Sequence, residues 1–111
     1  MPAQRTQWIR GVLDLCILGT LRDRERYGYD IARRIEQAGL GRVKGGTLYP
    51  LLGRLEEAGL LTAEWRPGDR GPGRRYYLLT AEGRKLLDEQ RTDWKTFAAQ
   101  TTALLDEKGS K

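Results

Sequence analysis

Histidine is absent from this 111-residue chain, and cysteine occurs once, at Cys16. Without histidine the commonest general base is missing, and so is every zinc spacing that draws on Cys and His together. One cysteine forbids an intrachain disulfide. Cys16 stands inside the apolar run "VLDLCILGTL", so a small buried hydrophobe is the first reading of it and a redox sensor the second. No apolar stretch approaches the ~18 residues that a membrane span needs. The opening "MPAQRTQWIRG" has no signal-peptide core, so the chain is expected to be soluble and cytoplasmic. No carboxylate, lysine or tyrosine group converges on a recognisable base and nucleophile, which argues against an enzyme. Neither a metal nor a cofactor is expected, and internal repeats and low-complexity segments are lacking.

Positive charge is plentiful. Lys and Arg number 20 against 15 Asp and Glu, a formal charge of +5, with a sequence pI near 9.7. Such a balance favours a polyanionic partner, nucleic acid first and a membrane surface second. The length is that of one domain, enough to bury roughly two thirds of the unfolded surface.

Ile9, Val12, Leu13, Cys16, Ile17 and Leu21 recur at helical spacing and predict a first helix over 9–21, with the mixed charges of "RDRER" as an exposed turn. A second helix is predicted over 29–38, where Ile31, Ile35 and Ala38 share a face and Gly39 supplies the stop. In the third, Leu48, Leu51, Leu52, Leu55 and Ala58 form one apolar arc that Gly59 ends. "LLTAEW" then alternates, "RPGDRGPGR" is a turn, and "RYYLLT" returns as the second strand of a hairpin. Thr80 is a natural N-cap for a last helix reaching about Leu105, and "EKGSK" reads as a frayed end. Along that helix Leu87, Trp94 and Thr101 recur every seven residues, with Phe97 and Leu104 between them and Ala98 and Leu105 flanking, as in a short coiled-coil contact. The order predicts a mainly α fold with a two-stranded β-wing: a winged helix-turn-helix over residues 1–79, then a dimerisation helix and tail over 80–111. A small α+β domain of any function is the plain alternative.

The arc of the third helix opposite its leucines holds Tyr49, Pro50, Gly53, Glu56 and Glu57, with Thr47 and Arg54 on its flanks. Tyr, Pro and Gly are mediocre or poor helix formers, so a purpose other than helix stability is one explanation for them and chance the other. Tyr49 can stack on a sugar or a thymine methyl, Gly53 admits a close backbone, and Lys44, Thr47 and Arg54 offer donors to phosphate or base edges. The competing reading packs Tyr49 on a neighbouring element and lets Pro50 merely start the helix. The hairpin carries Arg66, Arg70, Arg74 and Arg75 with only Asp69 between them. Such a run is either a solvated loop or a cationic tip for a minor groove or phosphates.

"YGYDIARRIE", "GTLYPLLGRLEEAGLL", Trp65 and "GRRYYLLTAEGRKLL" together resemble the PadR family of bacterial winged-helix transcription regulators over nearly the whole chain. That resemblance implies a homodimeric repressor of the short subfamily, with a single C-terminal helix, acting on a pseudo-palindromic operator in double-stranded DNA. It implies DNA contacts from Tyr27, Lys44, Thr47, Tyr49, Pro50, Arg54, Arg70, Arg74 and Arg75. Leu87, Trp94, Phe97, Thr101 and Leu104 would make the dimer interface. In some short relatives a flat apolar pore at that interface holds planar aromatic molecules, which makes Trp94 and Trp8 candidate effector contacts as well as candidate dimer core. One departure concerns the start of the third helix: where many relatives have a serine cap, this chain has Lys44 and Gly45, which leaves a looser start or a later one as the two readings. A winged-helix scaffold that binds a protein partner, without specific DNA binding, is the alternative function.

Overall fold

The structure, a computed structural model, describes residues 3–68 and 70–109. Asp69 at the hairpin tip, the first two residues and the last two of the expected frayed end lie outside the described residues. The chain runs α1 (Ala3–Thr20), β1 (Arg26–Tyr27), α2 (Gly28–Gln37), α3 (Gly45–Glu57), β2 (Leu61–Arg66), β3 (Arg74–Leu79) and α4 (Ala81–Leu105). Side chains from every element except β1 meet in one apolar core. Leu13, Ile17 and Leu18 come from α1 and Leu21 from the turn after it, Ile31 and Ile35 from α2, and Leu48, Leu52 and Leu55 from α3; Leu61, Tyr77 and Leu87 close it from the sheet and α4. Cys16 is half-buried at its edge, where burial and the nearby charge of Asp14 push the thiol above its usual value.

Two stops repeat one device. After α2, the Leu40 and Gly39 amides donate to the Ile35 and Glu36 carbonyls, and after α3 Leu60 and Gly59 donate to Leu55 and Glu56. Both are Schellman closures, and the left-handed φ of +85° at Gly39 and +81° at Gly59 is why glycine stands there. Each leaves an apolar residue packed beside the helix it follows, Leu40 and Leu60.

The exposed turn expected at "RDRER" is present over 22–24, and its last residue, Arg26, opens a strand. Arg26 pairs with Tyr77 and Tyr27 with Tyr76, so β1 joins the wing and the antiparallel sheet has three strands in the order β1-β3-β2, where two were expected. The reason is a buried charge. Arg26 is only 5% exposed; its Nε donates to the Thr20 carbonyl at 2.7 Å and its Nη1 to Asp30 at 3.0 Å, with Asp23 at 3.5 Å. Hydropathy puts arginine outside, whereas these acceptors let it go in.

Thr80 caps α4 as expected. Its Oγ1 accepts from the Gly83 amide at 3.0 Å and donates to the Gly59 carbonyl at 2.7 Å, while its own amide donates to Leu60. Gly83 presses so closely on Leu60 that a Cβ there would overlap the Leu60 carbonyl oxygen. From Asp88 onward α4 leaves the body, and among the described residues only Ala98 is partly covered. Leu87 therefore differs from its expected place on an intermolecular seam: at 4% exposure it is filled by the protomer's own core, because the seven-residue repeat starts where α4 still lies on α1. Trp94, Phe97, Leu104 and Leu105 are exposed, and Trp94 and Phe97 rings lie 6.1 Å apart. Trp8, on α1, is exposed as well.

Two glycines give opposite expectations in denaturant melts. Gly83→Ala should destabilise the fold by about 3 kcal/mol or more, since the conflict is with backbone that cannot yield. Gly53→Ala meets nothing within 4 Å on an exposed helix face and should stabilise it by about 0.5–1 kcal/mol.

Candidate nucleic-acid interface

The third helix begins at Gly45, no later than its sequence allows, and Lys44 occupies the cap position without a side-chain bond. Its carbonyl serves instead, accepting from the Thr47 amide at 3.0 Å and from Leu48 at 2.9 Å. The buried Leu48, Leu52 and Leu55 fasten α3 to the core, so Thr47, Tyr49, Pro50, Gly53, Arg54 and Glu57 are left exposed. Pro50 lies in the second turn rather than the first, which deprives the Gly46 carbonyl of its usual amide partner. The helix tolerates this loss on its wet side.

Tyr49 satisfies both readings in part. It keeps 52% of its surface exposed, yet its ring lies across α2: a Cβ on Gly28 would stand 2.5 Å from its hydroxyl, and one on Gly45 3.5 Å from its ring. Gly28 is thus the socket that lets the ring lie flat between the start of α2 and the start of α3.

Tyr27 is half-buried among other side chains. Its ring stacks on Tyr29 at 6.2 Å and 20°, tilts against Tyr76 at 5.4 Å, and has the Arg74 guanidinium 4.6 Å above it. It is a mounting for its neighbours. Tyr29, exposed to 63%, was not among the expected contacts; the signal was present in "YGYD", where a glycine between two tyrosines puts both rings near one surface.

The four hairpin arginines separate into two kinds. Arg66 lies over the Tyr76 ring at 4.6 Å and is bound by Glu25 at 2.8 Å and by Glu64. Its guanidinium holds the Glu25 carboxyl below the usual carboxylate range. Arg75 pairs in register with Trp65, one pair in from the turn, and donates from Nη2 to both oxygens of Glu56 on α3, at 2.9 and 2.7 Å. Arg70 and Arg74 are exposed toward the tip. Thr47, Tyr49 and Arg54 on α3, Lys44 at its start and Arg74 above Tyr27 therefore combine donors, ring faces and positive charge on a firmly backed surface, which is the chemistry that phosphates and base edges accept. Trp94 and Trp8 belong to α4 and α1, not to the elements that build this face.

Among the described residues no helix is long and apolar enough to cross a membrane, and no group of three or more His, Cys, Asp and Glu is placed to hold a metal ion. Three helices, a hairpin beside the third and an added edge strand define a winged helix. Residues 17–89 match the model of the transcriptional regulator PadR-like family, and the chain belongs to that family. It is 43% identical over 82 residues to transcriptional regulator Rv3488 of Mycobacterium tuberculosis, covering 74% of this chain and 75% of that protein. A crystal structure of a PadR family transcriptional regulator from Eggerthella lenta superposes with a TM-score of 0.82 at 34% identity, covering 93% of this chain and 89% of the other. A PadR-like regulator from Bacillus cereus does so with a TM-score of 0.82 at 31% identity, covering 92% and 99%. The protein is accordingly a transcriptional regulator, a class defined by binding rather than catalysis.

The socket is testable by a double-mutant cycle. Gly28→Ala should cost about 1–2 kcal/mol of stability in the native background and close to nothing in Tyr49→Ala, where no ring is left to displace. Equal costs in the two backgrounds would show that the ring does not rest there.

Proposed function

We propose that this regulator acts in the cytoplasm as a homodimeric repressor of a pseudo-palindromic operator and that a planar aromatic effector releases it. One observation carries the reading: the exposed arc 47–54 of α3 stands on three buried leucines beside a cationic hairpin. Residues 1–79 form the DNA-binding unit and 80–111 the dimerisation helix and tail. The N-terminal half of α3 enters the major groove, where Tyr49, Thr47 and Arg54 meet base edges and sugar, Lys44 meets phosphate, and Pro50 shapes the approach. Arg70 and Arg74 reach the adjacent minor groove, Arg75 uses the donors that Glu56 leaves it, and Tyr27 supports the wing from below.

The exposed rings and leucines of α4 favour a second copy of the chain. Trp94, Phe97, Thr101 and Leu104 make that interface, together with Leu105, whose 78% exposure is the greatest among the large exposed hydrophobics. A dimer places two α3 helices about 34 Å apart, one turn of duplex. An effector stacked on Trp94, with Trp8 alongside, prefers the dimer geometry in which that spacing is wrong and weakens operator binding by its own differential affinity.

Fluorescence anisotropy on the upstream DNA of the chain's own gene should show binding tighter than to random duplex, falling steeply with salt. Reversing Arg70, Arg74 and Arg75 to Glu should abolish it; the melting temperature should fall modestly, because Arg75 also pairs with Glu56 and Arg74 covers the Tyr27 ring, while the far-UV spectrum stays that of the folded chain. Retention of DNA binding by that variant sinks the wing assignment, and capture of a protein partner without operator binding by the native chain supports the scaffold alternative. Trp94→Ala should weaken quenching by planar aromatic cations roughly tenfold and leave ligand-free operator affinity intact; sedimentation as a monomer would make the residue structural.

A further inference from the structure

Glu56 carries negative charge at a place where two influences oppose it. It lies in the last turn of α3, at the negative pole of the helix dipole, and on the element proposed to approach a polyanion. Glu57 beside it is exposed and forms no ion pair among the described residues. Glu56 does: both its oxygens accept from Arg75 Nη2 of β3, at 2.9 and 2.7 Å.

The hairpin needs a tie at that point. Alternation along β2 and β3 puts Leu61, Ala63 and Trp65, with Tyr77 and Arg75, on the face turned to the core, but the core stops at the pair of Ala63 and Tyr77. None of the six residues in the three outer pairs is buried, and Trp65 is 67% exposed although it lies on the inner face. Apolar packing therefore does not set the angle of the outer hairpin. Polar contacts do. On the outer face Arg66 bonds Glu25 and Arg74 covers the Tyr27 ring, which secures the hairpin to the segment before α2. On the inner face the pair of Arg75 and Glu56 is, among the described residues, the one ion pair that joins the hairpin to α3. Arg75 is thus held at a fixed offset from the exposed arc of α3, with its charge partly neutralised.

We propose that Glu56 is a positioning residue for DNA recognition: through Arg75 it fixes the hairpin against α3 and withholds the Arg75 charge from duplexes that lack the operator. The proposal rests on the DNA-binding reading and adds a specificity determinant to it. Discrimination is a difference of two affinities, and this pair acts on both. A duplex that α3 and the hairpin engage together gains from the fixed offset, because the arrangement is ordered before binding. A duplex engaged by charge alone gains nothing from it and would attract a free guanidinium more strongly.

The test measures anisotropy across a salt series for the native chain, Glu56→Gln, Glu57→Gln, Arg75→Gln and the double variant Glu56→Gln/Arg75→Gln. Each is titrated on the upstream duplex of the chain's own gene and on a random duplex of equal length. Glu57→Gln removes the same charge one residue away, so both duplexes should bind slightly tighter, by one factor. Glu56→Gln should move them in opposite directions, the upstream duplex weakening roughly fivefold and the random one tightening roughly threefold as the freed Arg75 takes up a phosphate. The slope of log affinity against log salt on the random duplex should steepen by about 0.9 per protomer. With Arg75 already replaced, the Glu56 substitution should match the Glu57 control. The pair is partly exposed, so far-UV spectra should stay native and the melting temperature move little. Equal weakening on both duplexes makes the pair a structural tie alone and overturns the proposal. Equal tightening, as in the control, or no change at all does the same. Opposite shifts that persist without Arg75 overturn it too, since Glu56 would then act by another route. A native chain that prefers neither duplex overturns the DNA reading itself, and the proposal with it.

Discussion

Arg26 is charged and buried, and its guanidinium is held by the Thr20 carbonyl at the end of α1 and by Asp30 in α2. Depriving such a group of a partner costs about 3–5 kcal/mol, so β1 has one place to lie. The two residues that follow inherit that position. Tyr27 is pinned next to β3, where it receives Tyr29, Tyr76 and Arg74. Gly28 opens α2 and leaves the vacancy that the Tyr49 ring fills. Three consecutive residues therefore tie the first helix, the wing and the third helix to one another, and the buried arginine is what aligns them.

Charge on this molecule is less widespread than the formal +5 suggests. Glu25, Glu64 and Glu56 each take up an arginine of the hairpin. Exposed pairs of this kind contribute little to stability. Their larger effect is to subtract positive potential where the strands meet the body and leave it at Arg70, Arg74, Lys44 and the flank of α2. A polyanion arriving at the surface meets a patterned field, with the acid residues marking where it is not drawn in.

Much of this was legible in the chain alone, and the reasons are local. The leucine arc of α3, the alternation of "LLTAEW", the glycine stops and the Thr80 cap all depend on residues within one turn or one strand of each other, and periodicity reads such distances well. Family resemblance carried the overall arrangement further, and the superposed regulators agree with it. What escaped depends on partners far apart in sequence. Arg66 meets Glu25 across 41 residues and Arg75 meets Glu56 across 19, and nothing near either arginine announces it. A two-residue strand beginning with arginine has no pattern to detect. Leu87 matched a seven-residue repeat, but a repeat cannot say whether its first member faces the same protomer or another.

Thr80 joins the two ends that matter most: one hydroxyl accepts from the first turn of α4 and donates to the residue that terminates α3. With Gly83 lying against the Leu60 carbonyl, no slack linker separates these helices. The 25 residues of α4 make a shaft roughly 37 Å long. Leu87 in the core and the Arg84 bond to the Arg22 carbonyl add to that joint, so the root of the shaft is stiffly coupled to the body that carries the exposed tyrosine and threonine, and its free end is a long lever on them.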